Sequence, residues 1–268
     1  MHQHKYQALI NNLKNFPRLI VAFSGGVDST LLLRAAIDAI GGGNVLAVTF
    51  HSNIYGKHEL TEIKNLISAF NCRFMIMENN DLLNYAEFRA NPPNRCYICK
   101  RILYGKLQDL AQQENILVVA DGSNADDLRD FRPGMQAARE LNVISPLQEA
   151  GLSKREVRLL SRELGLPTWN KPSSPCLCSR IPYGNEITEK KLRQVEYGEN
   201  FLKEMGFPEV RVRHHENLAR IEVSAEKIAG ILNDDVLPQI RSYFRNLGFQ
   251  YVTLDLHGFR SGSLNEVL

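Results

Sequence analysis

The stretch Phe23-Ser24-Gly25-Gly26-Val27-Asp28-Ser29-Thr30 limits what this chain can become more than any other part of it. The apolar run 19–23 precedes it and a helix-forming run, 31–37, follows, so it occupies the turn between a buried strand and a helix N-terminus. Gly25 and Gly26 carry no Cβ, which lets the backbone turn sharply and bring its N–H groups against a phosphate. Ser24, Ser29 and Thr30 add hydroxyl donors, and the helix dipole contributes about half a positive charge at that end. Asp28 is the odd member: a carboxylate facing phosphates makes sense when a divalent cation, Mg²⁺, lies between them. A glycine-rich βα turn without a ligand is the bland alternative. All six positions filled between a strand and a helix favour a bound phosphate. No lysine follows the glycines, so the loop is not a Walker A loop.

Downstream, apolar segments alternate with helical ones. Residues 45–50, 73–77 and 116–120 read as buried strands, while Leu60, Ile63, Ile67 and Phe70 share one helix face. This alternation predicts an α/β fold, a parallel sheet with helices on both faces, whose ligands bind beyond the carboxyl ends of the strands. Asp121 and Gly122 fall at such an end, with Asn124, Asp126 and Asp127 close behind. There they serve the nucleotide or Mg²⁺, or form a solvated acidic turn. A capping box, Ser153-Lys154-Arg155-Glu156, opens a further helix. Three prolines, three serines and a glycine then make residues 171–184 a loop. Beyond it a helix over 188–205, a hairpin from 210–213 and 219–223, a helix over 236–247 and a strand over 251–255 predict a small α+β unit. The expected organisation is an α/β domain over 1–170, a Cys/Arg-rich loop over 171–185 and an α+β domain over 186–268.

The chain has 268 residues, enough for a large core, and an apolar content of 44% with a net charge of +2 is that of an ordinary globular protein. The charge balance gives no global footprint of a nucleic-acid binder. No apolar run approaches the ~20 residues that cross a bilayer, and the N-terminus lacks a signal pattern, so the expected location is the cytoplasm. Five cysteines argue for thiol or metal chemistry over a disulfide framework. Cys96 and Cys99 form a C-x-x-C, and Cys176 and Cys178 a C-x-C. Three thiolates with one position left open suit an iron–sulfur cluster, and the four together also suit a zinc site or simple packing. Cys72, in apolar strand sequence, reads as a small hydrophobe. Arg211 and Arg213 share a strand face and fork well onto a phosphate, although spacing alone favours a solvated face. Arg220 and Glu222 share a face as a plausible pair. His214 and His215 point to opposite sides.

Taken together, Ser24-Gly25-Gly26-Val27-Asp28-Ser29-Thr30, Asp121-Gly122, Arg132-Pro133-Gly134, Ser179-Arg180-Ile181-Pro182-Tyr183-Gly184, Val210-Arg211-Val212-Arg213 and Tyr251-Val252-Thr253-Leu254-Asp255-Leu256 resemble the LarE family. These are PP-loop, N-type ATP pyrophosphatases that act as ATP-dependent sulfur transferases in the biosynthesis of the nickel-pincer nucleotide cofactor. The resemblance implies adenylation of a carboxylate of pyridinium-3,5-biscarboxylic acid mononucleotide, pyrophosphate release and replacement of the adenylate by sulfur. It also implies that Cys96, Cys99 and Cys176 hold a 4Fe-4S cluster that carries the sulfur. A single-cysteine variant of the chemistry would instead sacrifice Cys176. Cys178 departs from the pattern, as a fourth ligand or a bystander. Arg180, Arg211, Arg213, Glu199 and Glu222 map to the substrate pocket. The C-terminal unit, by the same resemblance, serves substrate binding and oligomerisation, and sulfur-delivery and cofactor-biosynthesis proteins are the implied partners. The competing readings are a tRNA-thiolating enzyme, an amidating synthetase and a nucleotide-binding or zinc-scaffold module without turnover.

Overall fold

The computed structural model describes residues 2–129, 133–260 and 262–264. In chain order its elements are α1 (His2–Leu13), β1 (Leu19–Ala22), α2 (Val27–Ile40), β2 (Val45–His51), α3 (Lys57–Ile67), β3 (Arg73–Glu78), α4 (Ala86–Arg89), α5 (Arg95–Gln113), β4 (Val119–Ala120) and α6 (Gly134–Glu140). They continue with α7 (Pro146–Glu149), α8 (Lys154–Glu163), α9 (Glu189–Glu204), β5 (Val210–His215), β6 (Leu218–Val223), α10 (Ile228–Ile231), α11 (Leu237–Asn246) and β7 (Tyr251–Leu254). The chain divides into two units. One holds residues 1–52, 57–82 and 94–174; the other holds 53–56, 83–93 and 175–268.

In the first unit four parallel strands lie in the order β3-β2-β1-β4. Alternate residues of each strand face opposite ways, so the sheet carries two cores. Leu19 and Val21 of β1 and Val45 and Ala47 of β2 pack with α1, α2, α3 and α8. Ile20, Leu46 and Val48 pack on the other side with Tyr104, Leu107, Leu110 and Ala111 of α5 and Ala137 and Ala138 of α6. This is the parallel sheet with helices on both faces that the alternation predicted. The strand order reverses at β1, with β2 on one side and β4 on the other, so the turns after β1 and β4 border the crevice in which such sheets hold ligands.

Two boundaries differ from expectation. The fourth strand is confined to Val119–Ala120, with a further parallel bridge from Ala120 to Ile144. Leu117 is 87% exposed, because the run 116–118 is only the approach to an edge strand. Phe70 falls beyond the end of α3 yet packs on its core. Cys72 is half-buried against that same core, and burial pushes its thiol pKa up, in keeping with a packing role. Arg132 lies outside the described residues.

The second unit is a three-stranded sheet in the order β5-β6-β7, β5 antiparallel to β6 and β6 parallel to β7. Val210 and Val212 of β5 and Ala219, Ile221 and Val223 of β6 meet Leu202 of α9 and Ile240 and Phe244 of α11 in its core. Asn91, in a left-handed conformation at φ 55°, clasps the loop that follows residue 180. Its Nδ2 donates to the carbonyls of Ile181, Pro182 and Asn185 at 3.2, 2.8 and 3.0 Å, and its own carbonyl accepts from the Gly184 N–H at 2.9 Å. No helix among the described residues is long and apolar enough to cross a membrane.

Candidate active site

The glycine loop is shaped by β1 before it and α2 after it. The Phe23 N–H donates to the Val48 carbonyl at 2.8 Å, and its own carbonyl accepts from the Thr49 hydroxyl at 2.6 Å. Gly25 then turns with φ +67°, and a Cβ there would lie 2.7 Å from Ile63 Cγ1. Gly26 caps α2 with no side-chain hydrogen bond to the helix, so the first-turn N–H groups are left to an incoming anion. The hydroxyls behave less uniformly than the sequence suggested. Ser24 and Ser29 bond to each other at 3.1 Å, whereas Thr30 is 0% exposed and donates to the Gly26 carbonyl at 2.8 Å. Thr30 therefore stiffens the loop and is turned away from any ligand.

Asp28 stands in the first turn of α2, its Oδ1 accepting from Asn124 Nδ2 at 3.2 Å and its Oδ2 from Lys154 Nζ. A single carboxylate beside an anion-binding helix end fits Mg²⁺, which takes one or two carboxylates together with substrate phosphates. The acidic turn after β4 divides by burial. Asp121 is buried and accepts from Tyr104 Oη at 2.6 Å, Ser145 Oγ at 2.7 Å, Ser123 Oγ at 2.9 Å and the Ser123 N–H at 3.1 Å, with Lys100 Nζ at 3.3 Å. Burial pushes its carboxyl pKa up, but Lys100 and these hydrogen bonds outweigh burial and hold it below the usual range. Asp127 accepts from the Asn124 N–H, and Asp126 from the Lys154 N–H. These carboxylates thus tie the loop together, and Asp121 is not exposed toward a ligand. Gly122 is needed for close approach, since a Cβ there would meet the backbone N of Ser29 at 2.9 Å. A cleft of about 370 Å³ beside this turn is lined by Ser123, Arg139, Ser145 and Glu149 among others, and by no residue of the 24–30 loop.

In the second unit the expected substrate residues form one charged network. Arg180 reaches Glu199 through two hydrogen bonds of 2.8 and 3.0 Å, and its Nη1 donates to the carbonyls of Pro175 and Cys176. Arg213 forks onto Glu222 at 2.9 and 2.8 Å and donates to the Ser179 carbonyl, while Arg220 reaches Glu222 at 3.0 Å. The strand face that spacing read as solvated is therefore largely buried, and two of its guanidinium forks are engaged by carboxylates. Arg211 lies 5.0 Å over the Phe259 ring and donates to the Val210 carbonyl. Burial, then the charge of Arg180, lower its pKa. His214 faces the opposite side, against Phe249 and within 3.0 Å of Gln194.

The thiols divide between the units. Cys96 is exposed and Cys99 partly exposed, three residues apart on α5 and hence on one face. Cys176 is partly exposed at the cap of a short 3₁₀ turn, and the hydrogen bond from Arg180 fixes its carbonyl. Cys178, included with the expected metal ligands, has no exposed surface and is turned into the core. The donor set of Cys96 and Cys99, soft thiols one helical turn apart, suits half of a cluster or metal site. Among the described residues no three His, Cys, Asp or Glu side chains come together as a metal group.

The family model for NAD synthase matches residues 6–180. The pyridinium-3,5-bisthiocarboxylic acid mononucleotide synthase of Lactiplantibacillus plantarum is 41% identical over 98% of this chain and 95% of its own. The chain belongs to the LarE family of PP-loop enzymes. An uncharacterised protein of Synechocystis, slr1717, is 45% identical over 98% of both chains, and the tRNA-specific 2-thiouridylase MnmA of Leptospira biflexa is 24% identical over 71% of this chain. As a LarE-family protein it is an ATP-using enzyme.

Sequence reasoning noted that no lysine follows the glycines and missed where this LarE-family chain places its lysines. Lys154 arrives at Asp28 from α8, and Lys171 reaches the Gly25 carbonyl at 3.3 Å and Glu62 at 3.0 Å. The capping box gave the start of α8, but nothing in the sequence fixes which residue its first side chain meets.

Proposed function

We propose that the protein is an ATP-dependent sulfur transferase that converts a carboxylate of pyridinium-3,5-biscarboxylic acid mononucleotide to the thiocarboxylate. The observation that carries this reading is near full-length similarity to the Lactiplantibacillus plantarum synthase, in a chain whose glycine loop leaves the α2 N-terminus uncapped. A substrate carboxylate oxygen attacks the α-phosphorus of ATP, forming the acyl adenylate and releasing pyrophosphate. Gly25, Gly26 and the first-turn N–H groups hold the departing pyrophosphate, with Ser24 and Ser29 beside them. Asp28 would hold Mg²⁺, which when bound would neutralise charge on the leaving group. Asp121 and Gly122 act on the nucleotide through the loop they brace.

Arg211 supplies the cation for the substrate phosphate, and the Arg180–Glu199 and Arg213–Glu222 pairs position it and the 175–180 turn. Cys96, Cys99 and Cys176 would hold a 4Fe-4S cluster, which supplies sulfide when bound. Transfer of sulfur to the activated carboxyl carbon expels AMP. The substrate is a small nucleotide, and the reading includes a cytoplasmic homo-oligomer served by sulfur-delivery and cofactor-biosynthesis proteins. The test is pyrophosphate release by anaerobically purified protein given Mg·ATP. Release that depends on the dicarboxylate mononucleotide is expected, and release stimulated by tRNA alone replaces this reading with tRNA thiolation. Iron and acid-labile sulfide, lost in Cys96→Ala, are expected in the same preparation. Active protein without iron, whose Cys176 loses its sulfur during turnover, points to sacrifice of that thiol.

A further inference from the structure

We propose that Lys154 is an internal counter-ion of Asp28, one that a divalent cation must displace before the loop can use it. This rests on the reading of Asp28 as the residue that holds the cation. Both carboxylate oxygens of Asp28 are occupied, one by the Asn124 amide at 3.2 Å and the other by the Lys154 ammonium. The two charged side chains are 21% and 38% exposed, so the pair borders water and can exchange partners.

The lysine is held in place from two directions. It is the first residue of α8, and its N–H donates to Asp126 Oδ2 at 2.8 Å. The preceding Ser153 closes a capping box with Glu156, whose carboxylate is held in turn by Lys5 of α1 at 2.7 and 2.8 Å. An ammonium so placed neutralises Asp28 while no metal is present, and a cation arriving there competes with it directly. Once displaced, the same charge stands beside the helix end that receives the phosphates. A chain with no lysine after its glycines thereby gains one from 126 positions downstream.

The test uses Mn²⁺ as the probe, titrated by electron paramagnetic resonance into the full-length protein without ATP. Because a pair this exposed is a weak competitor, Lys154→Met is expected to bind Mn²⁺ about fivefold more tightly. Lys154→Arg stays close to wild type, and Asp28→Asn abolishes the binding. Unchanged affinity in Lys154→Met overturns the proposal, as does Mn²⁺ binding that survives Asp28→Asn. In the wild-type protein, Mg²⁺ should speed acetylation of Lys154 relative to Lys5, read by peptide mass; identical rates with and without Mg²⁺ also overturn it. Neither measurement involves the mononucleotide, so failure of the turnover assay sinks the functional reading without touching these outcomes.

Discussion

Arg180 and Glu199 face each other with side chains 4% and 3% exposed, and Glu199 also accepts the Val212 N–H at 3.1 Å. A pair sealed this well gains little over an apolar core, but removing one member strands the other charge. Glu199→Ala is therefore expected to lower the unfolding free energy by about 3–5 kcal/mol in urea titrations. Arg180→Met with Glu199→Gln should cost much less, because no lone charge remains. An equal loss in both variants would mean that shape rather than charge holds this turn. The arginines were legible in the sequence, since the Ser179-Arg180 and Val210-Arg211-Val212-Arg213 runs stand out, whereas Glu199 and, as a pocket residue, Glu222 entered through the family resemblance alone. The pairing itself was not legible, because an ion pair between α9 and a loop depends on a register that residue spacing does not contain.

At the scale of elements, the turns after β1 and β4 are fitted backbone to backbone. A Cβ on Gly122 would meet Ser29 N, Ser29 Cα and Asp28 C at 2.9, 3.1 and 3.2 Å, and no rotamer change relieves a clash with main chain. Gly122→Ala should displace the start of α2 and slow pyrophosphate release by about 100-fold, the size expected of a misplacement near 1 Å. Its thermal midpoint should fall only modestly, and unimpaired release would show that the two turns need not touch. On β5, burial and then the charge of Lys191 lower the His214 pKa from the usual 6.5 to about 4. The unfolded chain therefore takes up this proton first, and stability is lost as pH falls from about 6.5 toward 4. Urea midpoints measured across that window should decline, and His214→Gln should flatten the decline. The run 19–23 and the runs behind β2 and β3 announced themselves as strands because both faces of a covered parallel sheet are apolar. β4 was over-read because an edge strand needs only two paired residues, and the apolar Leu117 beside them is left in water.

Across the whole molecule, the α/β class and the small α+β unit could be read from the order of apolar runs. The division of the chain could not. Residues 53–56 and 83–93 belong with 175–268, and no composition shift marks them; buried Ile54 and Phe88 and a few hydrogen bonds by single residues are all that distinguishes them. The Ile54 carbonyl accepts from the Leu177 N–H at 2.8 Å, and Asn91 holds three carbonyls of the following loop. A gene trimmed after codon 174 would consequently export a strip of chain without its host, leaving Phe88 and the Asn91 amide stranded in water. Such a fragment should aggregate when produced alone and regain solubility when residues 175–268 are co-expressed. Recombination between relatives faces the same obstacle: swapping either half at the obvious seam trades a matched clasp for a foreign one, so the two stretches are bound to be inherited as a set.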